Sequence, residues 1–454
     1  MGMLGSCSND DVAVTDGTPG VGNGNGLVPV ELALNGPSVS VEKRGIGTVG
    51  DIDGQPTNIW KGEKLYLLMM QRSKSNNTKD NAWGFTTWTY QSAAESGSAD
   101  PNIDDSEYDG STDGHKDPTA TIVNFPNVTV TAPTDVASGA LTWADEKSPK
   151  YYPDGGIHDF FAYNIDDAAT IYTNPAWKTN KTDVSANADF MVRDSLVEGE
   201  AKMKYVWFKI DGSQDLMTGV ATNVGEDDDE GKNLGFSAQT ARAGIKPAIN
   251  MQHLLTRFTF TVQAAAESAV GLKVTNIAVK SKTTGKMIVA YDLADGVFKP
   301  EKMLEWTLPT GSDPTVEEPV KLYLKSRASA NTTVTDLEAV TINEGAGDAP
   351  DKTYEKQAIG HALMVAPGES EYTMYITIEQ TFEENDGEHD AVGSVTLEKD
   401  IDLTKGGTVE GATAEAGSSY AVNVKVYGMA KVEVDATLTG WKNGGDLEVD
   451  TNVN

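Results

Sequence analysis

Cysteine is nearly missing from this 454-residue chain: Cys7 is the only one, so no internal disulfide can staple the fold. Histidine is sparse as well. His115, His158, His253, His361 and His389 are scattered, without an HExxH or a paired Cys/His spacing, which argues against a zinc site. Positive charge is scarce, with 36 Lys and Arg against 68 Asp and Glu and a net charge of −32. A nucleic-acid backbone or an anionic membrane surface is repelled by such a chain. No later stretch reaches the ~18 apolar residues of a spanning helix. Sustained 3.6-residue periodicity with caps is missing, as are a G-x-S-x-G elbow and a P-loop. Gly45-Ile46-Gly47-Thr48-Val49-Gly50 matches G-x-G-x-x-G, but Asp51-Ile52-Asp53-Gly54-Gln55-Pro56 cannot open the helix that would receive a phosphate. These absences leave no catalytic constellation and no cofactor to assign.

What the chain does have is alternation. Its hydrophobic share of 39% and charged share of 23% suit packed domains rather than a disordered polymer. Tyr420, Val422, Val424 and Val426 alternate with Ala421, Asn423 and Lys425, and after Tyr427-Gly428 the pattern resumes at Val432, Val434, Ala436 and Leu438. Period 2 is the signature of a strand with one wet and one dry face. Trp441 and the turn Lys442-Asn443-Gly444-Gly445 are expected to close this hairpin. Beyond it, Leu447, Val449, Thr451 and Val453 alternate with Glu448, Asp450, Asn452 and Asn454, a further strand of ~26 Å. It can fold back on its own sheet, or it can be a strand meant for another molecule.

The other end shows a comparable excess. Residues 8–26 read as a flexible Gly/Asn linker. Val28, Val30, Leu32 and Leu34 then share a parity, and Pro29, which cannot donate a ladder bond, places this strand at an edge or start. Val39 and Val41 continue a weaker strand into Arg44, followed by the loop from Gly45. An arginine between a strand and a glycine loop is within easy reach of a protease. At the start, Leu4-Gly5-Ser6-Cys7 has the small residues of a bacterial lipoprotein signal and is followed by Asp10-Asp11. The charged start and apolar run of such a signal are missing, so a truncated start is expected.

Between the ends lie many short strand signals separated by Gly, Asn, Asp and Pro, which indicates antiparallel sandwiches with few helices. Leu65 to Met70 is a nearly continuous apolar run, as in a strand covered on both faces. Phe258, Phe260 and Val262 alternate, as do Tyr372, Met374, Ile376 and Ile378. The expected organisation is a lipobox and linker over 1–26, a removable strand segment over 27–44, sandwich domains over 45–245 and 246–441, and a terminal strand over 442–454. Asp105, Glu107 and Asp109 resemble the start of a calcium loop, but Lys116 stands where the bidentate acid belongs. A solvated acidic loop is the preferred reading, and no metal site is assigned. The aromatics of Trp83-Gly84-Phe85-Thr86-Thr87-Trp88 can stack on sugars or pack in a hairpin, with packing preferred.

Taken in order, several segments resemble the fimbrillins, the subunits of type V pili in Gram-negative gut and oral anaerobes. They are Leu4-Gly5-Ser6-Cys7, Val39 to Arg44, Asn58 to Leu65, Asp159-Phe160-Phe161-Ala162-Tyr163, His253 to Phe260, and Tyr420 to Trp441. The resemblance implies two transthyretin-like antiparallel β-sandwich domains in tandem, so an all-β fold. It also implies a precursor lipidated at Cys7 and anchored to the outer membrane. An arginine-specific protease would cut Arg44-Gly45, and the strand carrying Val28, Val30, Leu32, Leu34, Val39 and Val41 would be displaced. The emptied groove would accept Leu447, Val449, Thr451 and Val453 from another subunit in a surface fimbrium. The alternative is a non-polymerising surface lipoprotein that binds glycans or host proteins.

Overall fold

In the run from Leu65 to Met69 every side chain is apolar because the strand separates two cores. Leu65, Leu67 and Met69 enter one of them; Leu68 enters the other, with Tyr66 against it. Phe160 and Ala162 likewise alternate with Phe161 and Tyr163. The computed structural model describes residues 28–35, 60–62, 64–74, 83–87, 129–132, 134–136, 138–143, 151–152, 157–165, 192–194, 203–223, 234–291, 300–307, 319–327, 334–347, 352–383, 390–404 and 413–439.

The largest sheet runs Gly139–Ala140, Ala33–Asn35, Ala248–His253, Met217–Ala221, Ile157–Asn164, Lys64–Lys74, Thr129–Thr131 and Thr142–Trp143, with Trp83–Thr87 beside Lys64–Lys74. Its first and last members are two halves of one segment, 139–143, interrupted at Leu141. One half pairs with Ala33–Asn35 and the other with Thr129–Thr131, so the sheet closes into a ring. As in small barrels generally, side chains fill the interior: Leu34, Trp60, Leu65, Phe160, Met217 and Ile249 are among them. Gly219 lets two strands approach, since a Cβ there would lie 2.5 Å from the Met251 sulfur and 2.7 Å from the Asn250 carbonyl oxygen.

A second sheet, Val192–Asp194, Met203–Lys209, Thr284–Tyr291 and Leu304–Trp306, covers the outside of the ring. Val206, Phe208, Met287 and Val289 pack there on Leu68, Phe161 and Tyr163. Chain on both sides of residue 246 therefore builds this first unit: Ala248–His253 pairs in the ring and Thr284–Tyr291 pairs with Met203–Lys209.

The second unit is a sandwich. One sheet runs Gln357–Val365, Thr256–Ala264, Ser419–Gly428 and Lys431–Thr439. The other runs Val320–Tyr323, Lys273–Ser281, Glu371–Glu383 and Asp390–Asp402, with Val340–Thr341 also on Lys273–Ser281. The alternating residues of the sequence face inward: Phe258, Phe260, Val262, Tyr372, Met374, Ile376, Ile378, Val422, Val424 and Val426 share one core. Phe258 meets Tyr372 edge-on at 5.1 Å, and the Tyr372 hydroxyl donates to the Ala366 carbonyl at 2.6 Å.

Two details differ from the sequence reading. Among the described residues pairing is antiparallel except for Ala33–Asn35 with Ala248–His253 and Thr256–Ala264 with Ser419–Gly428, which are parallel. Such pairs join strands distant in the chain, because a tight turn can connect only antiparallel neighbours. The terminal hairpin turns at Met429-Ala430, between Gly428 and Lys431, where the alternation breaks after Tyr427-Gly428; the segment 442–445 lies outside the described residues. Met217–Ala221, which no sequence pattern marked, is a strand at the middle of the ring. The α-helix among the described residues, Ala238–Arg242, is held at its start by a capping box between Ser237 and Thr240. No helix there is long and apolar enough to cross a membrane.

Candidate assembly site

Residues 28–35 form a seam in the ring. Val30, Leu32 and Leu34 are 1%, 5% and 0% exposed, and Val28 packs against the same core. The backbone is tied on both sides. Leu141 N–H donates to the Leu32 carbonyl and Tyr152 N–H to the Val28 carbonyl, while Ala33 N–H donates to the Pro247 carbonyl, each at 2.9 Å. Pro29 forms an isolated antiparallel bridge with Tyr151; without an N–H, it stands ahead of the regular pairing of Ala33–Asn35. Glu31 points outward to an ion pair with Lys246. Three buried aliphatics, at ~1.5–3 kcal/mol each, contribute ~5–9 kcal/mol before entropy is counted.

Beside the seam lies Tyr152, whose ring meets Phe160 and His158 at 6.0 Å. Burial raises the Tyr152 phenol above its ordinary pKa. Burial also lowers His158 to about 4, so this imidazole is neutral in the folded ring at neutral pH.

The two units meet where residues 211–216 reach the second sandwich. Met364 N–H donates to the Gly212 carbonyl at 2.8 Å. Gly212 has φ +96°, and a Cβ there would lie 2.6 Å from Leu363 Cδ1. Lys325 Nζ contacts Asp211 Oδ2 at 2.6 Å. Against the upward push of burial, hydrogen bonds from Lys325 and Ser213 hold Asp211 down to about 2. His253 Nδ1 lies 2.8 Å from Asp215 Oδ2 in a buried contact.

Of the residues singled out from sequence, the structure brings Val28, Val30, Leu32 and Leu34 together against one core. Cys7, Arg44, Gly45, Val39, Val41, Leu447, Val449, Thr451 and Val453 lie outside the described residues, as does the acidic loop of Asp105, Glu107 and Asp109. Sequence reasoning missed Thr218, Asn250 and Gln252, which line a cleft on the outside of the ring. Their only signal is that Asn250 and Gln252 alternate with buried Ile249 and Met251.

No family model matches the sequence, and no curated protein aligns with it. Among solved structures, the chain is similar to a proposed cell adhesion protein from Bacteroides uniformis, at 14% identity and a TM-score of 0.39, over 93% of this chain and 100% of that one. It is similar to the fimbrial anchor protein from Porphyromonas gingivalis at 11% identity and a TM-score of 0.26, over 90% and 98% of the two chains. The tip fimbrial protein from the same organism, with a C-terminal truncation, gives 11% and 0.26 over 91% and 99%.

Proposed function

We propose that this chain is a non-enzymatic structural subunit of a cell-surface fimbrium that polymerises by strand exchange and serves adhesion. The observation that carries the reading is the seam: residues 28–35 fill the ring with aliphatic side chains and lie between Gly139–Ala140 and Ala248–His253. Its loss would leave a dry groove with unpaired backbone on both sides, which an extended strand of the right parity can fill. In this reading an arginine-specific protease cuts between Arg44 and Gly45, freeing the segment that carries Val28, Val30, Leu32, Leu34, Val39 and Val41. Leu447, Val449, Thr451 and Val453 of a neighbouring subunit, identical or related, then enter the groove. Cys7 carries the lipid that holds the precursor at the outer membrane until it is cut.

The test is to digest folded precursor with a trypsin-like protease and follow the product by N-terminal sequencing and electron microscopy. A stable core beginning at Gly45 that grows into filaments is expected. Arg44→Ala should stay a folded monomer, and so should cleaved protein lacking Gly445 to Asn454. Filaments that form without that tail, or digestion throughout the body, would overturn the reading.

A further inference from the structure

Outside the ring, the cover strand Thr284–Tyr291 lies over Phe161, with the Tyr291 ring 5.3 Å from it. Beside this contact, the strands Met217–Ala221 and Ala248–His253 turn a polar row outward. Thr218 stands opposite Gln252 and Val220 opposite Asn250. The result is a cleft of about 180 Å³, walled by Phe161, Val289 and Met303 and lined on its polar side by Thr218, Asn250 and Gln252.

We propose that this cleft binds one neutral saccharide ring. Thr218 is only 5% exposed, yet among the described residues neither its hydroxyl nor the Gln252 amide has a side-chain hydrogen bond. Neither is a buried orphan, so both open to the cleft, where a ligand hydroxyl can take the place of water. A hydroxyl and an amide together offer both donors and acceptors, which suits vicinal hydroxyls. The apolar wall suits the C–H face of the same ring. Among the described residues no charged side chain lines the cleft, so none of them offers an anion or a cation a counter-charge, and the net charge of −32 further disfavours anions. The volume falls below the ~300–1,000 Å³ of drug-sized sites, which leaves room for a single ring. The cleft uses none of residues 28–35, so the inference stands apart from strand exchange.

The test is saturation-transfer NMR on the full chain with the methyl glycosides of glucose, galactose, mannose and N-acetylglucosamine, and with glucuronate as the charged control. At least one neutral glycoside should be saturated while glucuronate is not. Thr218→Val, which keeps the shape, and Gln252→Ala, at a part-exposed position, should each weaken that binding at least about tenfold, the loss of one or more hydrogen bonds. Their melting temperatures should match the parent; if Thr218→Val fails to fold, Gln252→Ala carries the test alone. Failure of all four glycosides to bind, equal binding of glucuronate, or binding indifferent to the substitutions would overturn the proposal.

Discussion

Leu32 lends its carbonyl to the N–H of Leu141 at 2.9 Å, at the residue where one strand segment changes partners and the ring closes. Leu141 separates Gly139–Ala140, on Ala33–Asn35, from Thr142–Trp143, on Thr129–Thr131. The seam is thus both a filler of the core and the link that joins its two sides.

Leu34 is fully buried in that seam. Leu34→Ala should destabilise the uncut precursor by about 2–5 kcal/mol through the cavity it leaves, read by urea unfolding. A cost near that of an exposed site would mean that the segment does not complete the core.

Val449→Asp separates the two fates of the terminal strand. A donor strand carrying an unpaired charge cannot enter a dry groove, so the cleaved variant should stay monomeric by electron microscopy while the precursor melts like the parent. A precursor whose melting temperature falls instead would assign the strand to its own sheet.

Gly212 joins the two units at a left-handed backbone position crowded by Leu363. Gly212→Ala combines strain with overpacking and should cost about 1–3 kcal/mol. Calorimetry should show the units unfolding in separate transitions. One transition at the parental temperature would deny the coupling.

Acid should weaken the first unit through His158. Its folded pKa of about 4 lies below the ~6.5 of an unfolded histidine. Between those values the unfolded chain binds more protons, so this contribution to stability is full above pH 6.5 and declines as the pH falls toward 4. His158→Gln should flatten that part of the profile, measured as melting temperature against pH. An unchanged slope would place the acid sensitivity elsewhere.

Much of the fold was legible wherever burial follows local parity. The run from Leu65 to Met70 announced a strand covered on both faces, and the alternation of Tyr372, Met374, Ile376 and Ile378 announced the face turned to the core. Ring closure was not legible, because it depends on which strand meets which, and Ala33 meets Ala248 across most of a domain. Met217–Ala221 escaped because Gly219 breaks its pattern, and the reason for that glycine, the nearness of Met251, exists only in three dimensions. The polarity of Asn250 and Gln252 marked an outward face, but only packing shows that this face borders a cleft.

The parallel pairing of Ala33 with Ala248, more than two hundred residues apart, has a kinetic consequence. Contacts of such long separation carry a heavy loop-closure cost and slow the search for the native state. During synthesis the seam segment emerges first, yet its partner strand Ala248–His253 is made much later. Until that strand is available Val30, Leu32 and Leu34 have no finished ring to enter, so the ring can close only after the chain through residue 253 is present.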